Sequence, residues 1–182
     1  MTKAQSFLMV PDSVSDRILL FDPINGSLIN DNFIDGSADT GLGIFTTPLN
    51  AIQVNREIWV SDQVADAIFR FDLSGNYLGI VNDSNGDGTP EGLDNVRGME
   101  FAEGLIYVSN AGTNNGAPGE AVVVFDRAGN NLGFFNTGDP SDIRAYNGTL
   151  LITDINSDST GGEDIDRYTL DGVNSTLIET FV

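Results

Sequence analysis

Histidine and cysteine are both missing from the 182 residues. Without them the chain has no disulfide framework, no Cys/His zinc finger, no thiol nucleophile and no imidazole for acid–base work, which removes most familiar hydrolase chemistry. Basic residues are scarce: 8 Lys and Arg stand against 27 Asp and Glu, a formal charge of −19. Such a field repels phosphate backbones and anionic headgroups, so no nucleic acid and no acidic membrane is expected as a partner. Long apolar runs are missing too. The stretch 7–10 is too short for a signal-peptide core or a membrane span, so neither membrane insertion nor classical N-terminal export is expected. The absence of cysteine decides no compartment.

What is present is a repeat. Val10-Pro11-Asp12 through Ile18-Leu19-Leu20-Phe21-Asp22 aligns without a gap on Val60-Ser61-Asp62 through Ile68-Phe69-Arg70-Phe71-Asp72. In both, an apolar strand ends in Asp, a second acid (Asp16, Asp66) follows four residues later and Ile six later. A third copy runs through Ile106-Tyr107-Val108-Ser109-Asn110, a longer Gly/Asn loop and Val122-Val123-Val124-Phe125-Asp126; a fourth has Leu150-Leu151-Ile152-Thr153-Asp154 and Ile165-Asp166-Arg167-Tyr168. The strand-end residues 12, 62, 110 and 154 are spaced by 50, 48 and 44 positions. A period of that size organises a whole fold.

Each unit continues through a turn into a further strand: Asn25-Gly26, Gly75-Asn76, Gly129-Asn130 and Asp171-Gly172 supply the positive φ angles of tight hairpins. Three units are preceded by one more short strand, at 50–54, 97–101 and 142–146. Four-stranded antiparallel units with almost no helical periodicity predict an all-β chain, a β-propeller with blades near 6–34, 48–81, 96–135 and 140–182. A single β-sandwich also uses short strands and frequent turns, but it has no reason to repeat the same Asp, acid and Ile offsets. Fifteen strands are expected, because the first blade lacks its inner strand. The expected explanation of that shortfall is that these blades are part of a larger ring of six to eight; assembly with another copy and a four-bladed ring with an imperfect seam are the alternatives.

The pattern resembles the NHL-repeat propellers and their gluconolactonase-like and YVTN lactonase-like relatives. Residues 58–79, with Val60-Ser61-Asp62 and Ile68-Phe69-Arg70-Phe71-Asp72, match that repeat best; the resemblance covers nearly the whole chain. It departs at the insertion 110–120 and at Thr169, where the Asp after the second strand is replaced. The resemblance implies the fold and, as one alternative, a divalent-metal lactonase using Glu and Asn/Asp from several blades; Glu100 lies near the relevant strand. Antibiotic-linearising lyases of similar fold rely on His, which this chain lacks.

One loop has the chemistry of a calcium site. Asp83, Asn85 and Asp87 stand at its first, third and fifth places, glycine at the sixth, the Thr89 carbonyl at the seventh, Glu91 at the ninth and Asp94 at the twelfth. Calcium takes about six to eight hard oxygens, and alternating Asx residues in a tight coil deliver them. The flanks read as strands and the twelfth place holds Asp, so this is no EF-hand; the bland alternative is a turn cluster. The segments 31–39 and 154–158 are poorer versions, read as ordinary turns.

Asn50, Arg97 and Asp142 align at the start of the inner strands, where a propeller's loops converge, and are candidates for a ligand-binding ring or for strand-capping hydrogen bonds. Trp59 and Tyr107 read as packing aromatics, and 114–119 as a polar surface loop. The expected function is a calcium-binding module for a protein or small-molecule ligand, without catalysis; the alternative is the metal-dependent lactonase. A calcium loop of moderate affinity leans towards an extracellular setting, with a cytoplasmic one as the alternative.

Overall fold

In the computed structural model, residues 6–38, 41–82, 91–155 and 164–181 are described. Their architecture follows from strands that are apolar on both faces. The segment Glu57–Asp62 reads Glu-Ile-Trp-Val-Ser-Asp, and a strand with large apolar side chains pointing both ways needs a packed layer on each side. Ile58 and Val60 join one buried cluster with Ile18, Ile34 and Phe71, while Trp59 joins another with Met99, Val108 and Phe125.

The strands form four antiparallel sheets, each a simple meander in chain order. Sheet A holds β1 (Leu8–Asp12), β2 (Arg17–Phe21) and β3 (Leu28–Asp35). Sheet B holds β4 (Pro48–Val54), β5 (Glu57–Asp62), β6 (Ala67–Asp72) and β7 (Tyr77–Ile80). Sheet C holds β8 (Val96–Ala102), β9 (Leu105–Asn110), β10 (Ala121–Phe125) and β11 (Asn131–Asn136). Sheet D holds β12 (Pro140–Tyr146), β13 (Thr149–Asp154), β14 (Asp164–Thr169) and β15 (Leu177–Phe181). The expected fifteen strands are therefore found among the described residues, with sheet A one strand short. Three buried clusters lie between consecutive sheets: A with B, B with C, and C with D, the last built on Tyr107, Val122, Ile143, Leu150 and Ile152.

Turn chemistry closes the hairpins. The Asp126 carboxylate accepts the Ala128 and Asn130 backbone N–H groups at 2.8 and 2.9 Å, and Asp72 does the same for Ser74 and Asn76 at 2.8 and 3.0 Å. Where the fourth unit departs from the repeat, Thr169 Oγ1 takes over, accepting Thr176 N–H at 2.9 Å. Asp16 and Asp66, the second acids of the pattern, sit at φ of 52° and 54°, the left-handed conformation that Asp tolerates better than most residues.

The strand-end residue holds each inner strand in place. Asp62, fully buried, accepts Thr46 and Thr47 N–H at 2.7 and 2.9 Å and Ala65 N–H at 3.0 Å. Asn110 accepts Asp94 N–H at 2.7 Å and Asp154 accepts Asp139 N–H at 2.9 Å. In sheet A, which has no inner strand among the described residues, the equivalent Asp12 accepts the N–H groups of its own turn, Val14 and Ser15, and pairs with Arg17 at 3.2 Å.

Asp62→Ala removes a buried carboxylate that accepts three part-buried main-chain donors and is expected to destabilise the fold by about 3 kcal/mol, against under about 1 kcal/mol for Asp12→Ala, read from urea unfolding. A second expectation concerns pH. Arg70 grips Glu57 with two bonds of 2.8 and 2.7 Å and holds its carboxyl below the ordinary glutamate value. The lowered folded value means this contribution is whole above the unfolded-state value and is lost as pH falls through the folded one. Glu57→Gln should be less stable by about 1 kcal/mol at neutral pH, with the gap closing in acid; a gap that is constant with pH contradicts the assignment.

Candidate functional site

The inner strands β4, β8 and β12 lie side by side, and their starts carry the candidate ring. The ladder slips by a residue at the start of each, between Pro48 and Asn50, Val96 and Met99, and Pro140 and Ile143. Beyond the slip, Ala51 pairs with Val60, Met99 with Val108 and Ile143 with Ile152. Asn50 is thus level with Asp142, while the residue of β8 at that height is Gly98, one position beyond Arg97. A Cβ on Gly98 would meet the Asp142 backbone at 2.7 Å, so glycine is what lets the two inner strands approach so closely.

Arg97 points elsewhere. Its guanidinium pairs with Asp139 at 2.7 Å and reaches the Pro140 carbonyl at 3.3 Å, with both charged side chains only 12% and 10% exposed. Its own carbonyl accepts the Ser61 hydroxyl at 2.5 Å. Arg97 therefore stitches sheets B, C and D together. Asp142 caps Ile143 N–H at 3.0 Å and pairs with Arg144 at 3.0 Å. Arg144 also lies 3.9 Å from Glu100, whose carboxyl is pushed up chiefly by burial, with Arg144 pulling against that shift and Asp142 adding to it. Asn50 Oδ1 is enclosed and has no hydrogen-bond partner among the described residues. Glu100, Arg144 and Asp139 were not singled out as a group from the sequence; only the alternation along β8 and β12 could have paired Glu100 with Arg144.

Of the calcium-loop residues, Asp83, Asn85, Asp87 and Thr89 lie outside the described residues. Glu91 accepts the Asn82 side-chain N–H on its carbonyl. Asp94 is 7% exposed; Oδ2 accepts Asn114 N–H at 2.6 Å and its carbonyl accepts Gly112 N–H at 3.0 Å. Gly112 packs so closely on the Asp94 carboxylate that a Cβ would overlap it. Asp94 thus anchors the 111–119 insertion. Across from it, Asp66 accepts Asn95 N–H at 2.8 Å; its carboxyl is pushed up by burial first and then by the charge and hydrogen bond of Asp94. Among the described residues, no group of three potential ligands is gathered tightly enough to hold a metal. In the poorer candidate at 31–39, Asp35 accepts Ser37 N–H at 3.1 Å, the contact of an ordinary turn. The other, at 154–158, lies beyond Ile155 outside the described residues.

Trp59 and Tyr107 are 0% and 1% exposed inside the clusters between sheets, which suits packing and leaves no face for a sugar. Tyr107 Oη accepts Gly172 N–H at 3.1 Å, tying sheet C to the last hairpin of sheet D. Among the described residues no helix is long and apolar enough to cross a membrane.

No protein-family model matches the sequence, and no curated protein matches it. Solved structures do. The chain superposes on virginiamycin B lyase from Staphylococcus aureus with a TM-score of 0.60 at 14% identity, over 98% of this chain and 54% of that one. With a protein assigned as a 6-phosphogluconolactonase from Bacteroides fragilis the TM-score is 0.60 at 14% identity, over 96% and 51%. A chain of a nidogen/laminin complex gives 0.52 at 14% identity, over 94% and 76%. The sheets stacked in chain order around adjacent inner strands, together with these likenesses, define a β-propeller fold. The chain spans about half the length of the first two of these proteins.

Asp94→Ala should release the 111–119 insertion while leaving the sheets intact, seen as faster amide exchange or proteolysis confined to that loop; unchanged protection there would contradict its anchoring role.

Proposed function

We propose that the chain is a β-propeller module that binds a ligand or another protein, holds calcium at the 83–94 loop and carries no catalysis of its own. The observation that carries this reading is that two of the three polar residues of the candidate ring, all but Asn50, are committed to holding strands: Arg97 to Asp139 and Pro140, Asp142 to Ile143 and Arg144. Groups so occupied position a scaffold rather than reacting with a substrate. Support for the metal comes from the facing Asp66 and Asp94 carboxyls beside the loop, where burial and like charge leave negative charge poorly compensated. A divalent cation would relieve that repulsion, with Asp83, Asn85, Asp87, the Thr89 carbonyl, Glu91 and Asp94 as its oxygen set. The superposition on a chain of the nidogen/laminin complex agrees with a protein partner, and a calcium requirement agrees with an extracellular setting.

A second reading, a metal-dependent lactonase, is favoured by Glu100, a half-buried carboxyl pushed up beside Arg144 and Asp142. It requires lactone opening that depends on added metal and is abolished by Asp142→Ala or Asn50→Ala; the module reading requires no turnover.

Calcium at about 100 times its dissociation constant adds about 2.7 kcal/mol to folding stability, so the melting temperature should rise by several degrees. No rise in millimolar calcium, or an equal rise in Asp83→Ala/Asp87→Ala, removes the metal from the proposal.

A further inference from the structure

Two turns at one end of the molecule present the same residue to solvent. In the β1–β2 turn, Asp12-Ser13-Val14-Ser15-Asp16, and the β5–β6 turn, Asp62-Gln63-Val64-Ala65-Asp66, valine stands at the tip and is 92% and 62% exposed. A turn is a place for Gly, Asn, Asp or Ser, and a β-branched side chain gains nothing there. Both turns are nonetheless fastened. Asp12 Oδ1 accepts the Val14 and Ser15 N–H groups at 3.1 and 3.2 Å, Asp62 Oδ1 accepts Ala65 N–H at 3.0 Å, and Asp16 and Asp66 close the turns at positive φ. The fold holds each valine in place and leaves most of its side chain unused.

The connection between β3 and β4 links the two tips. Gly36 N–H donates to the Asp16 carbonyl at 2.9 Å and Gln63 N–H to the Thr47 carbonyl at 3.0 Å, so the connection is tied to the first tip where it starts and to the second where it ends. Leu42 on it and Leu49 just after it are exposed as well. A lone exposed aliphatic residue is ordinary, but four on segments bonded to one another form a patch. The third unit has no such display: its 111–119 insertion contains no Val, Leu, Ile, Met or Phe. The patch is set in negative charge. Asp12, Asp16, Asp35 and Asp66 flank it, and among the described residues at this end of sheets A and B the one cation, Arg17, is paired with Asp12 at 3.2 Å. Asp66 Oδ1 accepts Asn95 N–H at 2.8 Å, whereas Asp16 Oδ1 has no hydrogen-bond partner among the described residues.

We infer that the tips of sheets A and B, with the connection between them, form a docking surface for a basic segment of a partner protein that carries Leu, Ile or Val among its Lys and Arg residues. The partner's aliphatic side chains cover Val14, Leu42, Leu49 and Val64, and its cations meet the aspartates. Charge of this pattern disfavours acidic partners and a second copy, whose own formal charge is −19. Main-chain hydrogen bonds already hold both tips, so little ordering is needed on binding. The inference names the partner class and the place within the binding-module reading and rests on that reading. It uses neither the 83–94 loop nor Asn50, Arg97 and Asp142, so the calcium titration and the lactone assay decide that reading separately from the test below.

The probe is the synthetic peptide Lys-Leu-Lys-Gly-Leu-Lys-Leu-Lys, labelled for fluorescence anisotropy and titrated into the whole chain at about 0.15 M salt, beside one version with Ser for Leu and one with Glu for Lys. Saturable one-to-one binding is expected, at least about tenfold weaker for either control peptide. Val14→Ser together with Val64→Ser should weaken it about tenfold as well, while Ile24→Ser, at an equally exposed residue of the opposite end, should leave it unchanged. With the peptide bound, slowed amide exchange should be confined to 12–16, 42–49 and 62–66. Circular dichroism verifies the fold of the variants; the control peptides and the exchange pattern leave the protein untouched and decide the matter if the double variant does not fold. No saturation at millimolar peptide, equal binding of the serine peptide, equal binding by the double variant, or protection confined to other segments each overturns the inference.

Discussion

One kind of side chain governs the rest: the Asx at the end of the second strand, buried as Asp62 and Asn110 and half-buried as Asp154, which in sheets B, C and D accepts backbone N–H groups from the segment entering the inner strand. A carboxylate or amide enclosed among apolar strands is tolerable only when its hydrogen bonds are made, and sheets B, C and D make them with main-chain donors that lie just outside the strands. Asp62 satisfies Thr46, Thr47 and Ala65 at once. The inner strand is thereby fixed before any side chain on it matters, and that fixation brings β4, β8 and β12 together. Asn110 shows the device being extended, since its Nδ2 also donates to the Gly112 and Gly119 carbonyls at 2.9 and 2.7 Å and so closes the insertion between β9 and β10.

The acidic composition acquires a structural meaning from this. Asp22, Asp72 and Asp126 each accept main-chain N–H groups in exposed turns, and Asp72 and Asp126 are held below the ordinary aspartate value chiefly by the Asn76 and Asn130 side chains. These three acids are thus turn chemistry repeated in three of the four units. Acids also meet at two places between sheets, Asp66 with Asp94 beside the 111–119 insertion and Glu100 with Asp142 around Arg144.

The repeat was legible in the sequence because its signals are local: Val-x-Asp, the acid four residues on, and the Gly-Asn turn each fix a few backbone dihedrals wherever they stand. The fold class, the strand number and the packing roles of Trp59 and Tyr107 followed from them. Arg97 shows where such reasoning stops. An alignment by strand start sets it level with Asn50 and Asp142, but the slip at the head of each ladder puts Gly98 there, and a bulge leaves no mark in a period-two pattern. The bridge from Arg97 to Asp139 joins residues 42 positions apart, beyond any local signal. Of the calcium loop, Glu91 and Asp94 can be compared with the structure, and Asp94 has a structural duty that the motif alone does not disclose.

Each of the three buried clusters is shared by just two consecutive sheets, so cohesion here is a chain of nearest-neighbour couplings. Sheets B and C each share a buried cluster with the sheet on either side, so a change in the core of either is felt at two interfaces. The same modularity bears on ancestry: duplication or loss of one whole unit changes the number of blades without disturbing the chemistry of any that remain, a route by which such arrays lengthen or shorten over evolutionary time.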